Sequence, residues 1–204
     1  MSNIKVFNIN EDHFWRERFE KYRRDVIPFS GNRAENYSPK RFVIEDQIAT
    51  FLIVDANTDE IIAFNSVYKP VHWPQTIARI FNRSFYDPAY RALNLNKTHG
   101  PGWGQKYSYN LMIDSCQKNG IKIATCTREN TGRINSINQM LKSVLVADKN
   151  WKIKEDYYLG YDAKEVQSCW HRLIYLHLEP CNDLNLIPAM TQSQYKNKFN
   201  LQAQ

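Results

Sequence analysis

Glycine and proline are sparse, 7 and 8 residues in a chain of 204, and neither forms a repeat or a run. Collagen-like and low-complexity chains are thereby excluded. No apolar stretch approaches the roughly 20 residues that cross a bilayer. The opening MSNIKVFNINEDHF also lacks the basic and then apolar layout of a secretory leader. The expectation is a cytoplasmic protein with no membrane span. Cysteines number only four (Cys116, Cys126, Cys169 and Cys181), with no C-x-x-C pair and no histidine at ligand spacing. This pattern predicts no metal site and no disulfide framework, only reduced thiols of which most pack in the core.

What is present resembles an ordinary folded protein. Hydrophobic residues make up 43% and charged residues 24% of the chain, enough to bury a core in one domain. We place that domain at residues 1–178, followed by an arm over 179–204 that contains Pro180 and Pro188 and ends in the polar QSQYKNKFNLQAQ. The formal net charge of +6 is spread along the chain. It suits a polyanionic partner such as nucleic acid without selecting one, since such a charge also simply keeps a protein soluble.

Hydrophobic periodicity orders the elements. IKVFNI reads as a short strand, and Asn10 as the N-cap of a helix carrying Glu11 and Asp12 in its first turn. Trp15, Phe19, Tyr22 and Val26 form the apolar stripe of that helix, which leaves Arg23 and its basic neighbours to solvent and ends at Pro28. A short helix is expected near Ser38 and Pro39. ATFLIVDA and EIIAFNSVYK form a hairpin around Asn57, Thr58 and Asp59, and ARIFNRSFY a third strand. A helix follows over QKYSYNLMIDSCQKNG with Gly120 as its stop, then a buried strand IKIATC. Ile134, Ile137, Leu141, Val144 and Leu145 repeat at helical spacing, and WKIKEDYYLGY and CWHRLIYLHL read as two last strands. The result is an α/β chain of the α+β type: a mixed, mainly antiparallel sheet with helices on both faces and one strand-helix-strand crossover.

The crossover carries the chemistry. Its strand ends near Tyr86, passes into THGPGWG and enters a helix near Gly104. The first amides of a helix lack internal partners and carry partial positive charge, so such a terminus suits a phosphate or pyrophosphate. Gly100, Gly102 and Gly104 let the backbone approach an anion closely. Three glycines in five residues also suit a plain surface turn.

Over roughly Ala49 to Leu178 the element order resembles the GCN5-related N-acetyltransferase (GNAT) superfamily, which binds acetyl-coenzyme A over splayed strands four and five. FYDPAYR is similar to the end of strand four in that family, His99-Gly100-Pro101-Gly102-Trp103-Gly104 to its pyrophosphate loop, and TREN to the end of strand five. ARIFNRSFYDPAYR also resembles a divergent GNAT-like group frequently encoded by phages. The resemblance implies a fold of GNAT type and acetyl-CoA or another acyl-CoA as donor. It implies donor contacts at Phe85, Tyr86, His99, Gly100, Gly102, Trp103, Gly104, Gln105 and Asn130. Three departures stand beside it. His99 occupies a position that holds Gln or Arg in the family, eight residues separate Arg91 from Gly100, and Ile137 or Lys142 stands where many members carry an acidic tyrosine.

Acyl transfer to an amine needs a polarised carbonyl, a base and a proton for the leaving thiolate. His72 is a candidate base, and Tyr157 and Tyr158 are candidate proton donors, although loop histidines and strand tyrosines commonly serve no such role. Glu45 and Asp87 are weaker bases unless burial raises their pKa. Arg79 and Arg83, four apart on one strand, would share a face and hold an anionic group of the substrate, or else pair with carboxylates. The acceptor is left open among a nucleobase, a host protein and a small molecule. A catalytically inactive protein of the same fold, binding protein or nucleic acid, is the competing reading.

Overall fold

The computed structural model describes residues 3–29, 37–40, 42–71, 73–87, 90, 103–130, 151–154, 157–159, 170–187, 189–191, 194 and 197. In chain order the elements are β1 (Ile4–Asn8), α1 (His13–Asp25), β2 (Gln47–Asp55), β3 (Glu60–Tyr68), β4 (Ile77–Tyr86), α2 (Trp103–Lys118), β5 (Ile123–Asn130), β6 (Trp151–Lys154), β7 (Tyr157–Leu159), β8 (Trp170–His177) and β9 (Ala189–Thr191). Seven strands form one sheet in the order β1-β2-β3-β4-β5-β8-β6, while β7 and β9 pair separately. Among the described residues of the large sheet only β4 and β5 run parallel, as a crossover through a helix requires.

The alternation of β2 distributes the core between the two faces. Leu52 and Val54 point toward α1 and join Trp15, Phe19, Phe64 and Phe85, whereas Ala49 and Phe51 point toward α2 and join Met112 and Cys116. On the α1 side the packing is aromatic. Phe64 stacks on Phe42 and Phe85 and meets Phe19 edge-on with ring centroids 4.9 Å apart. On the α2 side Cys116 is fully enclosed, and burial pushes its thiol up to about 12. Cys126 is buried as well and Cys181 half-buried, while Cys169 lies outside the described residues. Gly120 has φ +69° just beyond α2, the left-handed stop expected of it.

Five details differ from the sequence reading. The cap of α1 is Asp12, whose carboxylate accepts the Trp15 amide at 3.1 Å. Asn10 instead donates its side-chain amide to the carbonyls of Ile44 and Gln47, tying the helix entry to β2. Arg23 is buried, not solvated: it donates to the Phe42 carbonyl at 2.6 Å, pairs with Glu20 and lies over the Phe19 ring. The helix ends at Asp25, before Pro28, which sits in a short 3₁₀ turn. Residues 38–40 are turns rather than helix, and WKIKEDYYLGY breaks into β6 and β7, which belong to different sheets. The predicted helix over Ile134–Leu145 falls outside the described residues.

Two outcomes follow from this packing. Arg23→Ala strands the Phe42 carbonyl and the Glu20 carboxylate at the edge of the aromatic core, and is expected to cost about 2 kcal/mol in urea unfolding. In native protein at pH 8, peptide mapping after alkylation should find Cys116 unlabelled, with labelling appearing once denaturant unfolds the chain.

Candidate functional site

β4 and β5 start together and then part. Ile77, Ala78 and Arg79 lie in register with Ile123, Ala124 and Thr125, and among the described residues no later rung joins the two strands. Yet β4 runs on to Tyr86 and β5 to Asn130. The far edge of β5 is occupied throughout, pairing with β8 from Ile123 to Asn130. The edges that face each other from Ile80 and Cys126 onward therefore bound a wedge that opens toward Tyr86 and Asn130.

A bulge marks the point of separation. Against β3, Val67 is opposite Ile80 and Asn65 opposite Ser84, so Phe81, Asn82 and Arg83 occupy the place of one residue facing Ser66. Three residues in the space of one must buckle, which turns backbone groups of β4 out of the regular ladder. Beside the bulge, Asn65 donates to the Ser108 hydroxyl at 2.8 Å in a buried bond that ties α2 to the sheet. Tyr107 packs against the cluster of Ile53, Ile62 and Ala63, and Ala63 pairs with Tyr86, so the first turns of α2 lie toward the end of β4. At the other end of α2, Ile121 bonds back to Cys116 and Lys122 to the Thr76 carbonyl at 2.7 Å. The wedge mouth and the N-terminus of α2 thus lie at the same end of the sheet.

The narrow end of the wedge is clamped. The Thr125 hydroxyl donates to the Ala78 carbonyl across the last rung. Leu178 donates its amide to the Lys122 carbonyl, and the Thr76 hydroxyl bonds the Asp183 carboxylate, which that bond holds below its ordinary pKa. Ile187, Leu184 and Cys181 pack with Trp73, Ile77 and Ile123, so the chain beyond β8 covers the base of the β4–β5 pair. β9 then pairs with β7.

The residues singled out from the sequence fall as follows. Arg79 sits at the last rung, buried, with its guanidinium 6.0 Å above the Trp73 ring. Arg83 lies inside the bulge, where the regular alternation used to set it on the face of Arg79 does not run. Phe85 is buried in the aromatic core on the α1 side, and Tyr86 ends β4. Trp103, Gly104 and Gln105 open α2, and Asn130 ends β5 opposite Trp170. Tyr157 and Tyr158 lie in β7, opposite Thr191 and Met190. His72, His99, Gly100 and Gly102 are outside the described residues. Glu45 is exposed and paired with Arg16.

Sequence reasoning missed the environment of Asp87. It is buried directly after β4, donates its amide to the Ile62 carbonyl at 2.7 Å and accepts the Tyr22 hydroxyl at 2.5 Å. Tyr22 and Asp87 are 65 positions apart, and neither carries a local signal of the other. Among the described residues no three His, Cys, Asp or Glu side chains are grouped to hold a metal ion, and no helix is long and apolar enough to cross a membrane.

No protein-family profile matches the sequence, and no curated protein does. Solved structures do. An acetyltransferase of Bacillus subtilis in complex with CoA superposes with a TM-score of 0.54 at 12% identity, over 87% of this chain and 100% of that one. A GNAT family acetyltransferase of Elizabethkingia anophelis with acetyl-CoA bound gives 0.51 at 14%, over 87% and 100%. A NatC complex bound to a Gag peptide and CoA gives 0.54 at 16%, over 87% and 99%. The parted strands, the bulge and the crossover helix agree with what these likenesses show: the chain has the fold of the GNAT acetyltransferases.

Proposed function

We propose that this protein is an acyl-CoA-dependent N-acyltransferase, with the donor's pantetheine arm in the wedge between β4 and β5. The observation that carries the reading is the parting of these strands at a bulge. Backbone N–H and C=O groups along two inner edges need partners, and an extended arm containing amides supplies them as an added strand would. The paired phosphates then lie at the start of α2, where Gly100, Gly102 and Gly104 allow close approach, His99, Trp103 and Gln105 flank them, and the first helical amides meet the negative charge. Phe85 and Tyr86 offer backbone groups from β4, and Asn130 lines the facing edge.

The donor contributes an acyl group activated as a thioester. The chain's part is to hold the thioester carbonyl against the buckled backbone of residues 81–83, whose N–H groups stabilise negative charge developing on oxygen. The acceptor is an amine reaching that carbonyl from the α1 side. In this reading Arg79 and Arg83 orient an anionic group of the acceptor, His72 takes the amine proton, and Tyr157 or Tyr158 returns one to the departing sulfur. The natural acceptor is a nucleobase, a host protein or a small molecule. Membership of the phage-encoded group and action in the cytoplasm belong to the same proposal.

A thermal-shift titration with coenzyme A tests it. A ligand confined to the native state at about 100 times its Kd adds roughly 2.7 kcal/mol, which for a chain of this length is on the order of 5–10 °C in Tm. Gly102→Asp should abolish the shift while leaving the Tm of the free protein within a degree or so. Absence of any shift with wild-type protein at saturating coenzyme A and acetyl-CoA overturns the transferase. Salt-sensitive retention on DNA or RNA together with that absence would then favour a binding module.

A further inference from the structure

β1 ends the large sheet, with β2 and β3 between it and β4, and among the described residues no strand pairs with its outer edge. Two bonds flanking its ladder with β2 set which groups face outward. The Ile9 amide donates to the Thr50 carbonyl at 2.9 Å and the Ala56 amide to the Asn3 carbonyl at 2.7 Å, both on the register that pairs Ile4 with Asp55. The odd-numbered residues of β1 therefore bond β2, and Ile4, Val6 and Asn8 turn N–H and C=O away from it. The Asn8 carbonyl is taken by the amides of Glu11 and Asp12 at the turn into α1. Ile4 and Val6 are left presenting two donors and two acceptors along the edge, an arrangement that an added strand completes.

The side chains beside that edge differ between the two faces. Toward α2, Ile4 and Val6 pack against Ile53, Ile62 and Ala63. Toward α1, Lys5 shares a face with Phe7, whose ring stacks on Trp15 with centroids 4.5 Å apart. Phe14 meets Trp15 edge-on while remaining 59% exposed, and the Arg18 guanidinium lies over both rings and donates to the Asp59 carbonyl at 2.8 Å. Lys5 and Arg18 are exposed, and among the described residues no carboxylate forms an ion pair with either. Unmet backbone groups, an exposed aromatic ring and two cations without counter-ions thus meet at one edge, on a chain whose net charge is +6. Such a surface is complementary to an extended chain that carries acid.

We propose that the outer edge of β1 binds an extended acidic segment of another protein, added antiparallel to the seven-stranded sheet. The residues of that segment opposite Val6 and Ile4 exchange backbone bonds with them. The residue between, opposite Lys5 on the α1 face, is Asp or Glu, because facing residues that exchange no backbone bonds bring their side chains closest. The residue opposite Phe7 on the same face is apolar and lies against the aromatic group. A second copy of the chain fits less well: the two-fold register that uses every open group of Ile4 and Val6 sets Lys5 directly against the other copy's Lys5, and like charges so placed repel. The site is independent of what fills the wedge.

The test is fluorescence anisotropy of a dye-labelled hexapeptide, in the order serine, phenylalanine, valine, glutamate, valine, aspartate, titrated with the full chain. Saturable binding with a Kd below about 1 mM is expected. Methylating both valine amides, which face β1, should abolish it, whereas methylating the glutamate amide, which faces away, should leave the affinity within about twofold. Lys5→Glu, at an exposed position, should weaken binding about tenfold, and a peptide with lysine in place of the glutamate should bind that variant better than it binds the wild type. Ile4→Pro removes an outward N–H at the first residue of an edge strand, where proline is tolerated, and should weaken binding with little change in Tm. No saturable binding up to about 1 mM, equal affinity for the two kinds of methylated peptide, or unchanged binding in Lys5→Glu overturns the proposal. Concentration-dependent dimerisation in sedimentation velocity that Ile4→Pro abolishes overturns it in favour of a second copy, and displacement of the peptide by oligothymidylate overturns it in favour of a nucleic acid.

Discussion

Hydrogen bonding between β4 and β5 stops after three rungs while both strands continue, and the rest of the architecture is organised around that break. Sheet edges inside a protein carry unmet backbone groups, and most folds cover or pair them. Here the outer edge of β5 is engaged along its length by β8, and that of β4 by β3 on either side of the bulge, so the inner edges are the ones left to part. The bulge at residues 81–83 absorbs the change in direction. Because the pair is parallel, the connection must return to the starting end of the sheet, and α2 does so with its N-terminus over the open mouth.

Opening a sheet at one end makes its closed end important. The last rung is held by the Thr125–Ala78 bond, by the amides that join Thr76, Lys122 and Leu178, and by the Thr76–Asp183 bond. Ile187 and Leu184 then seal the base with Trp73, Ile77 and Ile123. The segment beyond β8, read from sequence as the beginning of an arm, is thus in contact with the strands that separate. Arg79 lies at this apex with its charge against the Trp73 ring, two residues from the bulge.

The α1 side does separate work. The apolar stripe of α1 reaches into a cluster of aromatic rings, and Arg23 seals the margin by joining Glu20 and the Phe42 carbonyl. The polar flank of the same helix, Arg18, Lys21 and Tyr22, faces the start of β3 across a cavity of about 610 Å³. One helix therefore supplies both core and cavity wall.

Much of this was legible in the residues because it depends on local chemistry. Alternating β-branched and aromatic residues set β2, β3 and β4, the Asn57–Asp59 turn set their hairpin, and Gly120 set the end of α2. The details that escaped depend on partners distant in sequence. Asn10 and Asp12 are equally good caps until Ile44 and Gln47 claim the Asn10 amide. Arg23 reads as a surface residue until the Phe42 carbonyl stands beside it. WKIKEDYYLGY has the composition of one strand, but β8 and β9 recruit its halves into different sheets. The sequence by itself determined that the segments of β1 to β5 and β8 are strands and those of α1 and α2 helices, because periodicity and turn residues act over a few positions. Only the tertiary structure decided where β4 and β5 part and that Tyr22 meets Asp87, because register, bulges and cavities arise when strands far apart in the chain compete for the same hydrogen bonds and the same space.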